Sequence, residues 1–427
     1  MFATNIQNNL PVKSQKSLVK IIFSTFTGNA LEFYDFTLYG VFAVIIGKIF
    51  FPSEDPALSL LASWGAFAAG FIMRPFGAVI FGSIGDRYGR KIALSITILL
   101  MGLPTFVIGF LPSYAQIGVV APIILVLCRL IQGLCTGGEY NGAAIFALEH
   151  SAQVKPGMIG GLITSSCVVG ALLATYASFL VTSHSEVDWL WRVPFICGSL
   201  ISVLGFIIRY YINESPEFIA LQSKKASQRA LSIINIYQTH PASSFMTFLT
   251  GALNGALSYT LFGFLNVYLT KYLGIPASVA IKYNLLGLVT YMIFSPICGF
   301  LLDCIGGYKY MTLASLSAAL LCFPVFFFLQ TVDPFYIILA QILLGLMAAS
   351  IAGPGHAFVQ KLFPTEVRYR GVSINFCLGM AVCGGTAPWI LTFFIEKASN
   401  LYTPSIYIMI LSLISFLGIK SLYKFNK

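Results

Sequence analysis

Apolar stretches of helical length alternate with short polar connections along the whole chain. They run over about 20–47, 58–83, 92–111, 119–148, 159–183, 192–213, 243–270, 279–302, 310–330, 334–362, 370–395 and 402–422. Each is close to or beyond the ~20 residues a helix needs to cross ~30 Å of hydrocarbon. One longer polar stretch, 214–242, separates six from six. The pattern predicts an all-α polytopic membrane protein with twelve transmembrane helices in two six-helix bundles. Residues 1–213 form the first bundle, 214–242 a linker with a mildly amphipathic basic character, and 243–427 the second bundle. The first apolar run is too long, and too polar in its centre, for a cleaved leader, so it is expected to stay as a span.

Composition agrees. The 427 residues are 57% hydrophobic and 9% charged, with a net charge of +10, where soluble domains carry about 25% charged residues. The basic residues sit in the short connections, not on a face that grips phosphates, which excludes a nucleic-acid partner. With the N-terminus inside, 17 Lys and Arg fall in cytoplasmic segments, and 5 (Lys48, Arg192, Lys271, Lys282, Lys397) fall outside. That excess predicts cytoplasmic N- and C-termini. The nine cysteines make no CxxC and read as small buried hydrophobes. Four scattered histidines and no HExxH leave no metal site, and the lack of G-x-x-x-x-G-K-[ST] argues against ATP hydrolysis. No nucleophile and base are set for an embedded enzyme.

The two halves repeat. Gly82-Ser-Ile-Gly-Asp86-Arg87-Tyr-Gly89-Arg90-Lys91 follows the second span, and Gly299-Phe-Leu-Leu-Asp303-Cys-Ile-Gly306 follows the eighth. Gly precedes each Asp by four residues and follows it by three. A channel or receptor has no need of such a repeat; transporters do, with substrate bound between the halves near the mid-plane.

Inside the spans, a few polar residues stand out. Glu32 and Asp35 are i, i+3 neighbours on one face of the first span, and Tyr39 lies one turn beyond. A carboxylate at mid-membrane costs roughly 2.5–3.5 kcal/mol on insertion scales. The fourth span carries Arg129, Gln132, Thr136, Glu139 and Tyr140 on one face. Glu139 is about 15 Å along the helix from Arg129, so the natural partners of Arg129 are Glu32 or Asp35. No second mid-span base is evident, since Arg74 is expected near a helix end. Three acids (Glu32, Asp35, Glu139) against Arg129 give a net −2. Repulsion and desolvation are then expected to keep at least one carboxyl protonated. A carboxyl whose protonation follows the side to which the cavity opens is a proton carrier.

These stretches resemble the major facilitator superfamily. The loop Gly82 to Lys91 fits its motif between spans 2 and 3. Gly28-Asn-x-x-Glu32-x-Tyr34-Asp35-Phe36-x-x-Tyr39-Gly40, Arg129-x-x-Gln132-Gly133-x-x-x-Gly137-Gly138-Glu139, Trp191-Arg192-Val-Pro194-Phe195, Glu214-Ser-Pro216 and Phe363-Pro364-Thr365 are similar to its metabolite:proton symporters. That group includes proline/betaine, citrate, α-ketoglutarate and shikimate carriers. Phe33, Glu366 and the pair Phe376-Cys377 depart from it. The chain stops soon after the twelfth span, so the coiled-coil tail of some osmosensing relatives is not expected.

The resemblance implies the major facilitator fold, not an enzyme, and proton-coupled symport by alternating access in a bacterial inner membrane. It also implies a monomer in the bilayer with no cofactor beyond the coupling proton. Arg87, Arg90 and Lys91 would latch the cytoplasmic mouth against carboxylates such as Glu149 and Glu366, with Gly82, Asp86, Gly89 and Asp303 shaping that gate. Substrate-contact candidates are Asn29, Tyr34, Tyr39, Gln132 and Tyr140 in the first half and Asn254, Asn266 and Trp389 in the second. Asn254, Ser258, Phe262 and Asn266 are read as one stripe, and His356 as sitting beyond a break at Gly353-Pro354-Gly355. Carboxylates, one Arg and aromatics suit a zwitterion such as proline or glycine betaine. A di- or tricarboxylate, or a shikimate-type acid, asks for more cations.

Overall fold

A computed structural model describes residues 15–88, 90–150, 155–182, 189–210, 233–364 and 368–425. Among these, eleven helices are long and apolar enough to cross a membrane, and a bent pair makes a twelfth crossing. Span 1 is that pair, Phe26–Val41 and Ala43–Phe50, bent by 64°. Spans 2 to 6 are Pro56–Phe81, Lys91–Phe110, Val120–Ala144, Pro156–Val181 and Leu190–Ile207. Spans 7 to 12 are Pro241–Tyr272, Ala277–Ile305, Gly307–Gln330, Pro334–Gln360, Arg370–Ala398 and Thr403–Ser421. An even number of crossings puts the start of span 1 and the end of span 12 on one face, called basal here, opposite an apical face.

The starts of spans 2 and 10 show how local chemistry fixes the elements. Asp55 precedes Pro56, and its side chain accepts from the Ala57 N–H at 2.8 Å; Asp333 precedes Pro334 and accepts from Phe335 N–H at 2.9 Å. Proline at the first position needs no donor, and the aspartate satisfies one that the helix cannot. Both lie on the apical face, one in each half.

Close packing decides the rest. Spans 2 and 4 touch backbone to backbone: a Cβ on Gly133 would lie 1.7 Å from the Gly70 carbonyl oxygen, and one on Gly77 would lie 1.8 Å from that of Leu134. Small residues permit such approach in lipid, where dispersion rather than water expulsion holds helices together. Spans 5 and 8 run antiparallel along the seam between the halves. Gly157 meets Gly299 there, Ser165 Oγ donates to the Met292 carbonyl at 2.7 Å, and Thr164 Oγ1 donates to the Ala352 carbonyl of span 10 at 3.0 Å. On the other side of the seam, Gly40 of span 1 abuts Gly263 of span 7.

Two expectations are corrected at the level of elements. Span 10 is a continuous helix, Pro334–Gln360, with Pro354 inside it, so no break precedes His356. Span 7 is not uniform: it widens into π-helix at Thr260–Phe264 and again at Tyr268–Tyr272. A residue inserted into an α-helix turns everything beyond it by about 100°. Asn254 and Ser258 therefore share a face, their side chains 3.0 Å apart, while Asn266 is turned toward span 8 and donates to Asn284 Oδ1 at 3.3 Å.

Candidate functional site

Glu32, Asp35, Arg129, Gln132 and Glu139 are all buried in the first half. Thr105 of span 3 donates to Asp35 Oδ2 at 2.6 Å and accepts from Gln132 Nε2 at 2.9 Å; Gln132 Oε1 in turn accepts from Arg129 Nη1 at 2.8 Å. The link between Arg129 and Asp35 is thus a relay through spans 4, 3 and 1, in place of the expected direct pair. Gln132 lies one turn from Arg129 and takes up its Nη1. The rings of Tyr39, Phe36 and Phe67 lie 4.5, 4.6 and 5.3 Å from the guanidinium carbon. Cation–π contact there adds to the charge of Asp35 at the far end of the relay. Two turns toward the basal face, Thr97 Oγ1 donates to Glu139 Oε2 at 2.9 Å. Span 3 thus gives one hydroxyl to each of two buried acids.

Arg74 is the second correction. Pro75 has no N–H to complete the helix, which breaks at Met73. Arg74 sits at this break, midway along the rod 56–88, and only 1% exposed. Its guanidinium carbon is 3.9 Å from the Phe71 ring centre, 4.4 Å from that of Phe36 and 5.7 Å from that of Tyr259 in the other half. Three carboxyls therefore face two guanidiniums, a net −1 rather than −2. In both Arg74 and Arg129, the Nε and Nη2 donors have no acceptor. These two nitrogens form the edge that grips a carboxylate in bidentate fashion.

Around the arginines the halves close with aromatic rings. Phe71 meets Tyr259 at 4.6 Å, and Phe33 meets Phe262 at 5.7 Å. A narrow crevice remains, walled by Phe36, Trp64 and Phe67 on one side and Tyr259, Phe262 and Pro388 on the other. Nearer the basal face, Tyr140 packs on His356 at 4.8 Å and near Phe376 at 6.2 Å, and Asn141 Nδ2 donates to Cys377 Sγ at 3.1 Å.

The sugar (and other) transporter family profile matches residues 20–243, more than half of the chain. The chain belongs to the major facilitator superfamily. The glycine betaine/proline/ectoine/pipecolic acid transporter OusA of Dickeya dadantii is 30% identical over 415 residues, covering 94% of this chain and 82% of OusA. The inner membrane metabolite transport protein YhjE of Escherichia coli is 34% identical over 418 residues, 93% of this chain and 92% of YhjE. In fold, the chain is similar to the partially occluded, inward-open xylose transporter XylE of E. coli. The TM-score is 0.75 at 14% identity, over 96% of this chain and 98% of XylE. The protein is a transporter and not an enzyme, and it moves a small molecule across a membrane.

In this transporter the other candidates scatter. Asn29 is fully buried, one turn before Glu32, and neither amide atom has a partner. Asn254 is buried within the second half, bonded to Ser258, which meets the Tyr291 hydroxyl at 2.9 Å. Tyr39 donates to the Ser63 carbonyl, holding its ring beside Arg129. Tyr34 turns away from the seam: its hydroxyl donates to the Pro194 carbonyl at 2.9 Å, and its ring lies against Gly198 of span 6. Trp389 is 38% exposed on the outer surface and stacks on Phe393. It follows a third π segment, Met380–Gly385, whose register shift the sequence does not announce. The structure thus does not bring Tyr34, Asn266 and Trp389 together with the buried acids and arginines.

Of the basal gate, Asp303 reaches across the halves to cap span 5, accepting from Gly157 N–H at 2.9 Å and Met158 N–H at 3.1 Å. Lys91 opens span 3, half-buried. The side chains of Gly82, Asp86, Arg87, Arg90 and Glu149, and the whole of Gly89 and Glu366, lie outside the described residues.

Proposed function

We propose that this transporter carries a zwitterionic osmolyte or amino acid, such as proline or glycine betaine, together with one proton. Its orientation has both termini in the cytoplasm of a bacterial cell bounded by the inner membrane. The observation that carries the reading is the charge balance of the closed centre, three carboxyls against two guanidiniums. A zwitterion leaves this balance unchanged, and a single proton brings it to zero. A buried site empties and fills most readily when its net charge is near zero in the loaded state. The substrate carboxylate meets the open Nε/Nη2 edge of Arg74 or Arg129, and its ammonium rests against Trp64, Tyr259 and Phe262 in the cleft. Relatives such as OusA, named for betaine and proline, support the substrate class.

One observation favours a second reading. Two open guanidinium edges suit a dicarboxylate better than the single arginine expected from sequence, and the relative with 34% identity carries no substrate in its name. A dicarboxylate adds two negative charges and asks for about two more protons. Uptake of radiolabelled proline, glycine betaine, α-ketoglutarate, citrate and shikimate into proteoliposomes, with and without an inward proton gradient, separates the readings. The zwitterion reading fails if only the acids are accumulated.

A further inference from the structure

We infer that the Thr105 hydroxyl is a hydrogen-bond rotor that lets Asp35 gain and lose its proton while the hydrogen bonds from Arg129 Nη1 through Gln132 and Thr105 to Asp35 Oδ2 all stay made. The inference rests on the proton-coupled reading above and extends it to a positioning residue on span 3.

A hydroxyl has one hydrogen and two lone pairs. Thr105 Oγ1 has three neighbours within reach: Asp35 Oδ2 at 2.6 Å, Gln132 Nε2 at 2.9 Å and the Met101 carbonyl at 3.1 Å. Gln132 Nε2 can only donate, and the Met101 carbonyl can only accept. Asp35 can do either, depending on its proton. With Asp35 ionised, Thr105 gives its hydrogen to Asp35 and accepts from Gln132. The 2.6 Å separation is that of an O–H donating to a charged oxygen. When a proton binds Asp35 Oδ2, the new O–H donates to Thr105 Oγ1, and the Thr105 hydrogen swings to the Met101 carbonyl. Gln132 donates throughout. The only atom gained is the incoming proton, and the bond from Arg129 to Gln132 never breaks. Without the hydroxyl, the ionised carboxylate and the Gln132 amide would each be left buried and unpaired, and the two protonation states would no longer exchange at comparable cost.

Asp35 interacts electrostatically with Arg129 on span 4 and Tyr34 on its own helix; Arg74 on span 2 acts in turn on Arg129, Cys197 on span 6 acts on Tyr34, and Glu32 and Tyr39 lie one turn either side of Asp35 on span 1. Span 3 faces Asp35 with the hydroxyl of Thr105. The opposite oxygen, Oδ1, lies against the backbone of Gly198 and has no partner, so the rotor acts on one oxygen alone.

The test compares Thr105→Ser, which keeps the hydroxyl, with Thr105→Val, which keeps the shape. Proton-driven accumulation and substrate counterflow, which needs no net proton movement, are measured for each in proteoliposomes. Thr105→Ser is expected to keep both. Thr105→Val is expected to lose accumulation by about tenfold or more, the ratio carried by a lost hydrogen bond to a charged group, while counterflow persists. Undiminished accumulation in Thr105→Val overturns the rotor, and so does an equal loss of both activities. Wild-type accumulation that ignores the proton gradient sinks the proton-coupled reading itself, and it is visible without any variant. Should Thr105→Val not reach the membrane, the infrared C=O band of protonated Asp35, assigned by its absence in Asp35→Asn, decides on the wild-type protein. A carboxyl that donates a hydrogen bond is expected, and a non-donating one overturns the proposal.

Discussion

Arg74 carries its charge among Phe71, Phe36 and Tyr259, with the nitrogens Nε and Nη2 unpaired. Lysine would keep the charge but not the flat face or the two-pronged edge. Arg74→Lys is therefore expected to raise the KM for uptake about tenfold or more, in line with the ~2 kcal/mol that a desolvated cation–π contact carries. An unchanged KM would remove Arg74 from the substrate site. A second prediction separates the acids. Asp35→Asn removes the titrating group, so proton-driven accumulation is expected to vanish while counterflow continues; counterflow and accumulation lost together would place Asp35 in substrate binding instead. Glu32, Asp35, Arg129 and Glu139 were legible as buried charges because an ionised side chain inside an apolar run is costly wherever it points. Arg74 was not, because its depth depends on where the helix past Pro75 goes. Thr97 and Thr105 were hidden for another reason: a threonine costs little in a span and marks no position until its neighbours are known. Their spacing of two turns on one face of span 3 was the available signal.

At the scale of elements, the spans were readable because lipid forces every backbone group into helix and so ties length and hydropathy to topology. What sequence pattern could not give was the register inside a span. The π segments at Thr260–Phe264 and Met380–Gly385 are set by tertiary partners: Asn284 Nδ2 donates to the Leu261 carbonyl at 2.8 Å, and Gly384 packs on Gly255. Asn266 and Trp389, each expected to contact substrate, follow these segments and lie toward span 8 and the outer surface respectively. Asn284→Leu leaves the Leu261 carbonyl buried and unpaired, so it is expected to destabilise the protein by about 1–3 kcal/mol. Thermal unfolding in detergent reads that out, and a melting temperature equal to wild type would show that Asn284 does not hold the π turn. The contact of spans 2 and 4 offers a sharper case. A methyl on Gly133 would overlap the Gly70 carbonyl, and backbone cannot yield as a flexible side chain does. Gly133→Ala is expected to cost about 1–3 kcal/mol or more, and because this contact carries both Arg74 and Arg129, uptake should fall with stability rather than independently of it.

At the scale of the whole molecule, the acids and arginines are buried from both faces at once, so transport requires the seam to open on each side in turn. On the basal side, the closure has an identifiable polar element. Asp303, on span 8 of the second half, caps the N-terminus of span 5 in the first half through Gly157 and Met158. The carboxylate satisfies two N–H groups that the helix leaves free and lies at the positive end of its dipole. A cap of this kind is worth about 0.5–2 kcal/mol, and here the whole of it favours the closed basal face, since separating spans 5 and 8 breaks it. Asp303→Ala should therefore populate the basally open state about fivefold more, the shift that ~1 kcal/mol produces. Cys167 is a built-in reporter: it is buried on span 5, beside Glu32, Tyr140 and Tyr291 at the closed centre. A membrane-impermeant maleimide reaches it only through an opened face. With the basal face cytoplasmic, as proposed, its labelling in inside-out vesicles, read by mass spectrometry of its peptide, should quicken about fivefold in Asp303→Ala. The same reagent applied to right-side-out vesicles should label it more slowly than in wild type, because a population moved to one open state is withdrawn from the other. Faster labelling from both sides would mean a loosened bundle, and equal labelling from both sides in variant and wild type would mean that the cap does not govern the equilibrium.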